Sequence, residues 1–316
     1  MPLALAVTLY AAAAVFLCGL SWRVWVWART PEPFRIPTTT GQQASLPGLA
    51  RSRVESPSTR TGVAGRLALE ALLFRSLFRN TAPAPAPAGA ADPPPVFLER
   101  KALWLGALAL HYSLLVIVVR HLRLFVDPVP ALATALAAAD GFFEIGTPRL
   151  YAADVVVIAA LAYLLARRIR DPLLRYVSLP ADYLALGTLI AVTGSGIILR
   201  YVARTDVTAV RGYTLGLAAL APGPLAGPTG WLAVHVAAAA FLLAILPFTK
   251  MMHAAGIWLS PTRNQANDSR RRRHVNPWNA PVPVHGYAAW QAEFRDKLAA
   301  AGLPIDDDPP AGKAGA

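Results

Sequence analysis

The chain has a single cysteine, Cys18, in 316 residues. One thiol excludes an intrachain disulfide. It also excludes an iron–sulfur cluster held by this chain alone, because such clusters take several thiolates. Charge is scarce as well: 15% of residues are charged and 55% are hydrophobic, where an ordinary soluble domain carries about 25% charged residues. Acids are scarcer than bases, 18 against 30, for a formal net charge of +12. The bases flank apolar segments, so the excess reads as membrane topology, and nucleic-acid binding has little support. Histidine is limited to six residues, which makes their positions informative.

What the sequence does contain is long apolar runs. Five read as transmembrane helices, at 3–22, 102–124, 150–166, 181–203 and 230–256, each close to the length that crosses a bilayer. The expected fold is an all-α integral membrane protein with five transmembrane helices. The first run does not read as a secretory signal: no positive charge precedes it, Arg23 and Arg29 follow it, and no small-residue cleavage site is evident. Residues 23–101 hold ten arginines and Lys101 against five acids. ARRIRDPLLR after the third run and RRRRH at 270–274 fall on the same side. The positive-inside rule then puts the N-terminus outside and the C-terminus in the cytoplasm; the expected membrane is a bacterial inner membrane, with the N-terminus periplasmic.

The organisation follows: 1–28 as the first transmembrane helix, 29–101 as a cytoplasmic loop, 102–257 as a four-helix transmembrane core, and 258–316 as a cytoplasmic polar tail. Within the loop, 62–80 has helical periodicity with leucines on one side and arginines on the other, an amphipathic helix for the inner surface. The Ala/Pro linker 81–95 after it reads as stiff and partly polyproline-like. Loops 125–149 and 204–229 fall outside. The Gly/Pro-broken stretch 213–230 is too interrupted to span and reads as a cap or short re-entrant turn.

Four of the six histidines lie in two of the apolar runs. His111 and His121 are ten residues apart, about 15 Å along a helix, and His235 and His253 are eighteen apart, about 27 Å and on one face. The two runs are antiparallel in this topology. His111 then lies level with His253 toward the cytoplasm, and His121 with His235 toward the outside. Ionisable residues inside a membrane are rare and usually functional, and histidine is a common axial ligand of haem iron. The pattern predicts two b haems, one per pair. The two spacings differ by about 12 Å of rise, to be absorbed by tilt and by a kink at Pro247.

Arg120 and Arg200 are candidate propionate partners for the outer haem and Lys250 for the inner one. Arg123 also flanks His121, and snorkelling at the lipid boundary is the plain alternative for these cations. Gly194, Ser195 and Gly196 permit close approach of a ring or a helix. Asp154 is a candidate proton relay or a solvated cap residue. His274 and His285, in the polar tail, read as surface residues. No catalytic residue is assigned. The competing reading is a non-redox membrane anchor, or a transporter of metal ions or protons with histidine gates. Such a transporter would bring acids to mid-membrane depth, whereas Asp154 and Asp182 lie near the ends of their runs.

The two histidine spacings and the PFTKMMH motif around His253 resemble the gamma subunit of respiratory nitrate reductase. That family is a five-helix dihaem cytochrome b that handles quinol, and its haem pairing carried onto this chain is again His111 with His253 and His121 with His235. IPTTTGQQASLPG (36–48), PSTRTGVAGRLALEALLFRSLFRN (57–80) and LWLGALALHYSLLVIVVRHLRLF (103–125) resemble the M subunit (DsrM) of the DsrMKJOP membrane complex, linked to dissimilatory sulfite reductase and sulfur metabolism. The likeness covers most of the chain except the Ala/Pro linker and the last stretch of the tail. It implies electron transfer between the quinone pool and a cytoplasmic iron–sulfur subunit, DsrK-like and connected to the thiol carrier DsrC. It also implies a periplasmic multihaem cytochrome, a periplasmic iron–sulfur protein and a second membrane subunit as partners.

Overall fold

The computed structural model describes residues 2–30, 52–83, 97–141, 148–225, 230–268 and 286–306. In chain order the helices are α1 (Pro2–Arg29), α2 (Arg60–Leu73), α3 (Arg75–Phe78), α4 (Lys101–Phe125), α5 (Ala131–Asp140), α6 (Ala152–Arg170), α7 (Pro172–Val177), α8 (Pro180–Ile197), α9 (Val207–Ala218), α10 (Gly230–Ile245), α11 (His253–Leu259), α12 (Pro261–Asn264) and α13 (Tyr287–Ala300). The strands among the described residues are β1 (Thr81–Pro83) and β2 (Phe97–Glu99), an antiparallel pair. β1 therefore makes the start of the Ala/Pro linker a ladder strand rather than polyproline. Residues 36–48, the rest of the linker, the RRRRH run, His274 and His285 lie outside the described residues.

Among the described residues, four helices are long and apolar enough to cross a membrane: α1, α4, α8 with its extension to Val202, and α10 with its extension to Phe248. Large apolar side chains stay on their outer faces, among them Leu17, Trp22 and Trp25 of α1 and Leu105, Leu115 and Val118 of α4. A water-soluble surface rarely carries so much contiguous apolar area, and the chain is a membrane protein. α6, the expected third span, has 19 residues but includes Asp154 and the arginines of its last turn, which sets it apart from the other four. It packs against both α4 and α8, and Leu110, Val157, Ala160 and Leu161 form the buried centre there. α4 and α6 meet closely at Gly106, where a Cβ would stand 2.7 Å from the Tyr163 ring.

Three elements depart from their expected shapes. The amphipathic helix is broken at Phe74, whose backbone is left-handed (φ 50°, ψ 48°), so it forms α2 and α3 at an angle rather than one rod. α8 ends in a π-helical turn, Ile198–Val202. α10 does not run on to 256: it passes through a 3-10 turn (Leu246–Phe248), an extended Thr249 and a second 3-10 turn (Lys250–Met252) before α11 begins at His253. Pro247 has no N–H to give and its ring crowds the preceding turn, so the helical ladder stops there. α1 braces this break with one face at four-residue spacing. Gly19 meets the Pro247 ring, Arg23 Nε donates to the Pro247 carbonyl at 3.2 Å, and Trp27 lies against Gly256.

Both expected outer loops contain a helix. α9 closes the end of α4: Arg211 Nε donates to the Arg123 carbonyl at 3.0 Å and the Thr214 hydroxyl donates to the Leu124 carbonyl. These are last-turn carbonyls that the helix itself cannot satisfy. At the opposite end of α4, Trp104 Nε1 donates to the Leu73 carbonyl and the Tyr112 hydroxyl to the Leu72 carbonyl, both at 2.8 Å. Lys101 Nζ donates to the Phe78 carbonyl at 2.6 Å. These bonds lay the α2–α3 segment on the N-terminal half of α4. Glu55 ties the same segment together through Arg75 and Arg79, at 2.7 and 2.6 Å. Partial burial pushes the Glu55 carboxyl up, but the Arg79 and Arg75 guanidiniums outweigh it and hold the group below the usual carboxylate range. Asn267 closes the knot, its N–H donating to the Pro57 carbonyl at 2.8 Å and its side chain to Ser56 Oγ at 2.9 Å.

The end of the polar tail, from His274 on, belongs to a separate compact unit, described over 286–306. There α13 is closed by Gln291, which exchanges two hydrogen bonds with the Asp306 backbone, while the Tyr287 hydroxyl donates to the Asp306 carboxylate at 2.9 Å.

Candidate functional site

The bundle brings four histidines together as two pairs. His111 on α4 and His253 at the start of α11 have ring centres 5.8 Å apart with their planes at 77°. His121 on α4 and His235 on α10 have ring centres 6.4 Å apart with planes at 23°. His235 and His253 do not share the face of one straight helix, as the spacing alone suggested. The break at 246–252 lies between them and removes the mismatch of rise that a straight helix would impose.

Every one of these rings is held by its Nδ1. His111 Nδ1 donates to the Ala107 carbonyl at 2.8 Å, His121 Nδ1 to the Ile117 carbonyl at 2.7 Å, and His253 Nδ1 to the Lys250 carbonyl at 2.9 Å. His235 Nδ1 lies 3.1 Å from the Val192 carbonyl and 3.0 Å from Ser195 Oγ. A carbonyl oxygen only accepts, so the proton of the neutral ring sits on Nδ1 and the lone pair on Nε2. Fixing the tautomer through the far nitrogen is how ligating histidines are prepared.

The spacing suits one iron between each pair. With metal–nitrogen bonds of about 2 Å, as for imidazole-bound zinc, and about 1.1 Å from nitrogen to ring centre, two opposed imidazoles stand about 6 Å apart. Among the described residues no group of three or more His, Cys, Asp or Glu is arranged to hold a bare metal ion. Two ligands per site are what an iron needs when a porphyrin supplies its other four bonds. The surroundings leave room for a flat group: His111, His121 and His253 keep exposed surface and His235 is half-buried. A cavity of about 610 Å³ opens beside His111 and His253, walled also by Phe74, Glu70 and Arg263. At the second pair a Cβ on Gly196 would come within 3.2 Å of His235 Cε1, so glycine lets α8 lie against the ring. Gly194 has nothing within 4 Å of that position. The residues present fit two bis-histidine haems.

The flanking cations are placed differently from the expectation that they face propionates. Arg120 is buried and turned to acids of the chain, NH2 to Asp154 at 2.7 Å and NH1 to Asp140 at 3.0 Å, and its guanidinium lies 3.7 Å from the centre of the Tyr151 ring. Asp154 is likewise no solvated cap, because it also accepts from the Tyr201 hydroxyl at 2.9 Å. Arg200, carried by the π turn, donates to the Arg149 carbonyl at 2.9 Å and stacks on Tyr151. Lys250 pairs with Asp182 at 2.8 Å, alongside Arg168 at 3.4 Å, and does not line the cavity. Arg263 lines it instead, and it and Phe74 are the residues beside the first pair that the sequence reading missed. Arg263 sits beyond the last span, in a stretch that read as plain polar tail. Phe74 looked like one more apolar residue on an amphipathic face.

The nitrate reductase gamma subunit family matches residues 94–266, a stretch that includes all four histidines. Two curated relatives, from Archaeoglobus fulgidus and Archaeoglobus profundus, are both described as "Hdr-like menaquinol oxidoreductase cytochrome b-like subunit". The first is 40% identical over 289 residues and the second 38% over 284, each alignment covering 87% of this chain and 83% of the relative.

Proposed function

The chain belongs to the nitrate reductase gamma subunit family, and on that premise we propose that it is the dihaem cytochrome b subunit of a quinol-linked membrane redox complex. The observation that carries this reading is the pair of histidine couples, 5.8 and 6.4 Å between ring centres, each ring with its Nδ1 tied to a backbone carbonyl. Haem bound at each pair supplies a one-electron carrier. His111 and His253 would hold one, and His121 and His235 the other. The backbone carbonyls keep each Nε2 unprotonated and aimed, and Ser195 adds a second restraint on His235.

Charge bias supports a cytoplasmic position for the His111–His253 pair and a periplasmic one for the His121–His235 pair. The quinone pool is met at the periplasmic pair, and the relatives' menaquinol supports a quinol of that class. The Tyr201 hydroxyl, which donates to the Asp154 carboxylate at that end of α4, is suited to pass on a proton from quinol. One cysteine in the chain means that clusters reside in another subunit. The basic, partly apolar α2–α3 segment beside the cytoplasmic pair is suited to dock it. A DsrK-like iron–sulfur partner, and through it sulfur metabolism, fits the 36–48 and 57–80 likeness to the DsrM subunit.

The test is haem content by variant. The full chain purified in detergent should hold two b haems in its pyridine haemochrome and reduced-minus-oxidised spectra. His111→Ala or His253→Ala should leave one haem, and His121→Ala or His235→Ala the other, the two sets differing in midpoint potential. A folded, colourless wild-type chain would sink the reading.

A further inference from the structure

We infer that Phe74 is a positioning residue for the His111–His253 centre, where it sets the plane of the His111 imidazole; the inference rests on the dihaem reading above. The Phe74 ring meets the His111 ring edge-on, with centroids 4.8 Å apart and planes at 73°, a favoured aromatic geometry. The Ala107 carbonyl fixes one nitrogen of His111, and a single hydrogen bond leaves a ring free to tilt about it. An aromatic side chain against the ring removes that freedom.

The backbone is built to deliver this contact. A bulky residue with left-handed φ and ψ is a genuine outlier and persists only where its surroundings impose it. Here they do, through Glu70 and through α4. The Phe74 N–H donates to the Glu70 carbonyl at 3.2 Å, and the Ser76 N–H and hydroxyl both donate to the Glu70 carboxylate, the first at 3.0 Å. From α4, Trp104 and Tyr112 hold the carbonyls of Leu73 and Leu72, the two residues just before the break. Tyr112 follows His111 directly, so the helix that carries the ligand also grips the segment that presses on it. The outcome is a pair with planes at 77°, against 23° for His121 and His235.

Ligand planes have a spectroscopic consequence. When two axial imidazoles are nearly perpendicular, the two iron d orbitals that bond with them in π fashion come close in energy, and the low-spin ferric signal grows more anisotropic than for parallel planes. The wild-type ferric protein should therefore give two low-spin signals in electron paramagnetic resonance, the more anisotropic one lost in His253→Ala.

The experiment compares Phe74→Gly, which removes the ring yet accepts the left-handed backbone, with Phe74→Tyr, which keeps the ring. Both are read as the full chain by haem stoichiometry, electron paramagnetic resonance and redox titration. Phe74→Gly should shift the more anisotropic signal toward the other and move that centre's midpoint, with the second centre unchanged. Phe74→Tyr should match wild type. Loss of that one haem in Phe74→Gly with full retention in Phe74→Tyr supports the inference equally. Signals unaltered in Phe74→Gly, or altered equally in both variants, would overturn it while leaving the dihaem reading intact. A wild-type chain with no low-spin signal would overturn both.

Discussion

At the scale of single residues, scarcity made the histidines legible and made the cations deceptive. Six histidines in 316 residues, four of them within apolar runs, are a strong pattern because each imidazole in a membrane needs a reason. An arginine beside a histidine is a weaker one, because what it pairs with depends on residues far along the chain. Arg120 meets Asp140 and Asp154, 20 and 34 positions away, and no local pattern shows that. This burial has a measurable consequence. Arg120→Leu leaves two buried carboxylates without their cation, and breaking a buried ion pair on one side costs about 3–5 kcal/mol. The variant should melt well below wild type in detergent. Adding Asp140→Asn and Asp154→Asn should recover part of the loss, since the amides remove the uncompensated charge. Melting of Arg120→Leu at the wild-type temperature would show that the cluster contributes no stability.

At the scale of elements, period and length were readable and interruptions were not. α4 begins and ends within a residue of its expected bounds, because a continuous apolar run with basic ends admits few alternatives. Pro247 announced a kink, yet the observed break covers seven residues, two 3-10 turns around an extended Thr249. A break that long at membrane depth survives only where the surrounding protein satisfies the freed backbone. Here that is α1, whose Arg23 reaches the Pro247 carbonyl. The left-handed Phe74 was equally hidden, because its cause is the grip of α4 rather than anything in the local sequence. The α1 face can be tested at Gly19. A Cβ there would stand 2.8 Å from Pro247 Cβ and 3.1 Å from its Cγ, and a proline ring cannot swing aside. Gly19→Val should push α1 from the break, displace the 246–252 stretch and with it His253. Haem per chain should fall from two toward one, with the His121–His235 centre keeping its potential. Retention of both haems with unchanged midpoints would mean that α1 does not set the position of His253.

At the scale of the whole molecule, the number of crossings decides which pair faces which side, and α6 decides the number. Among the described residues four helices qualify as spans on apolarity alone, and α6 has 19 residues, about 28 Å of helix, close to the roughly 30 Å hydrocarbon thickness. Its charges sit at its ends, and each end is tied to a different end of its neighbours. Asp154 in its first turn joins Arg120 in the C-terminal part of α4 and Tyr201 just past the end of α8. Arg168 in its last turn joins Asp182 in the first turn of α8. A helix anchored at both ends of α8, and running opposite to α4 and α8, is expected to cross with them. Five crossings would put the two termini on opposite sides, and the arginine bias predicts that 29–101 lies in the cytoplasm. Reporter fusions should report cytoplasm at residues 90, 175 and 280, and periplasm at 135 and 215. The decisive comparison is 135 with 175, because only α6 lies between them. Periplasm at 135 with cytoplasm at 175 would place His111 and His253 on the cytoplasmic side, next to the segment proposed to dock a partner. The same signal at both positions would remove α6 from the membrane, leave four crossings, and return the C-terminus to the side of the N-terminus.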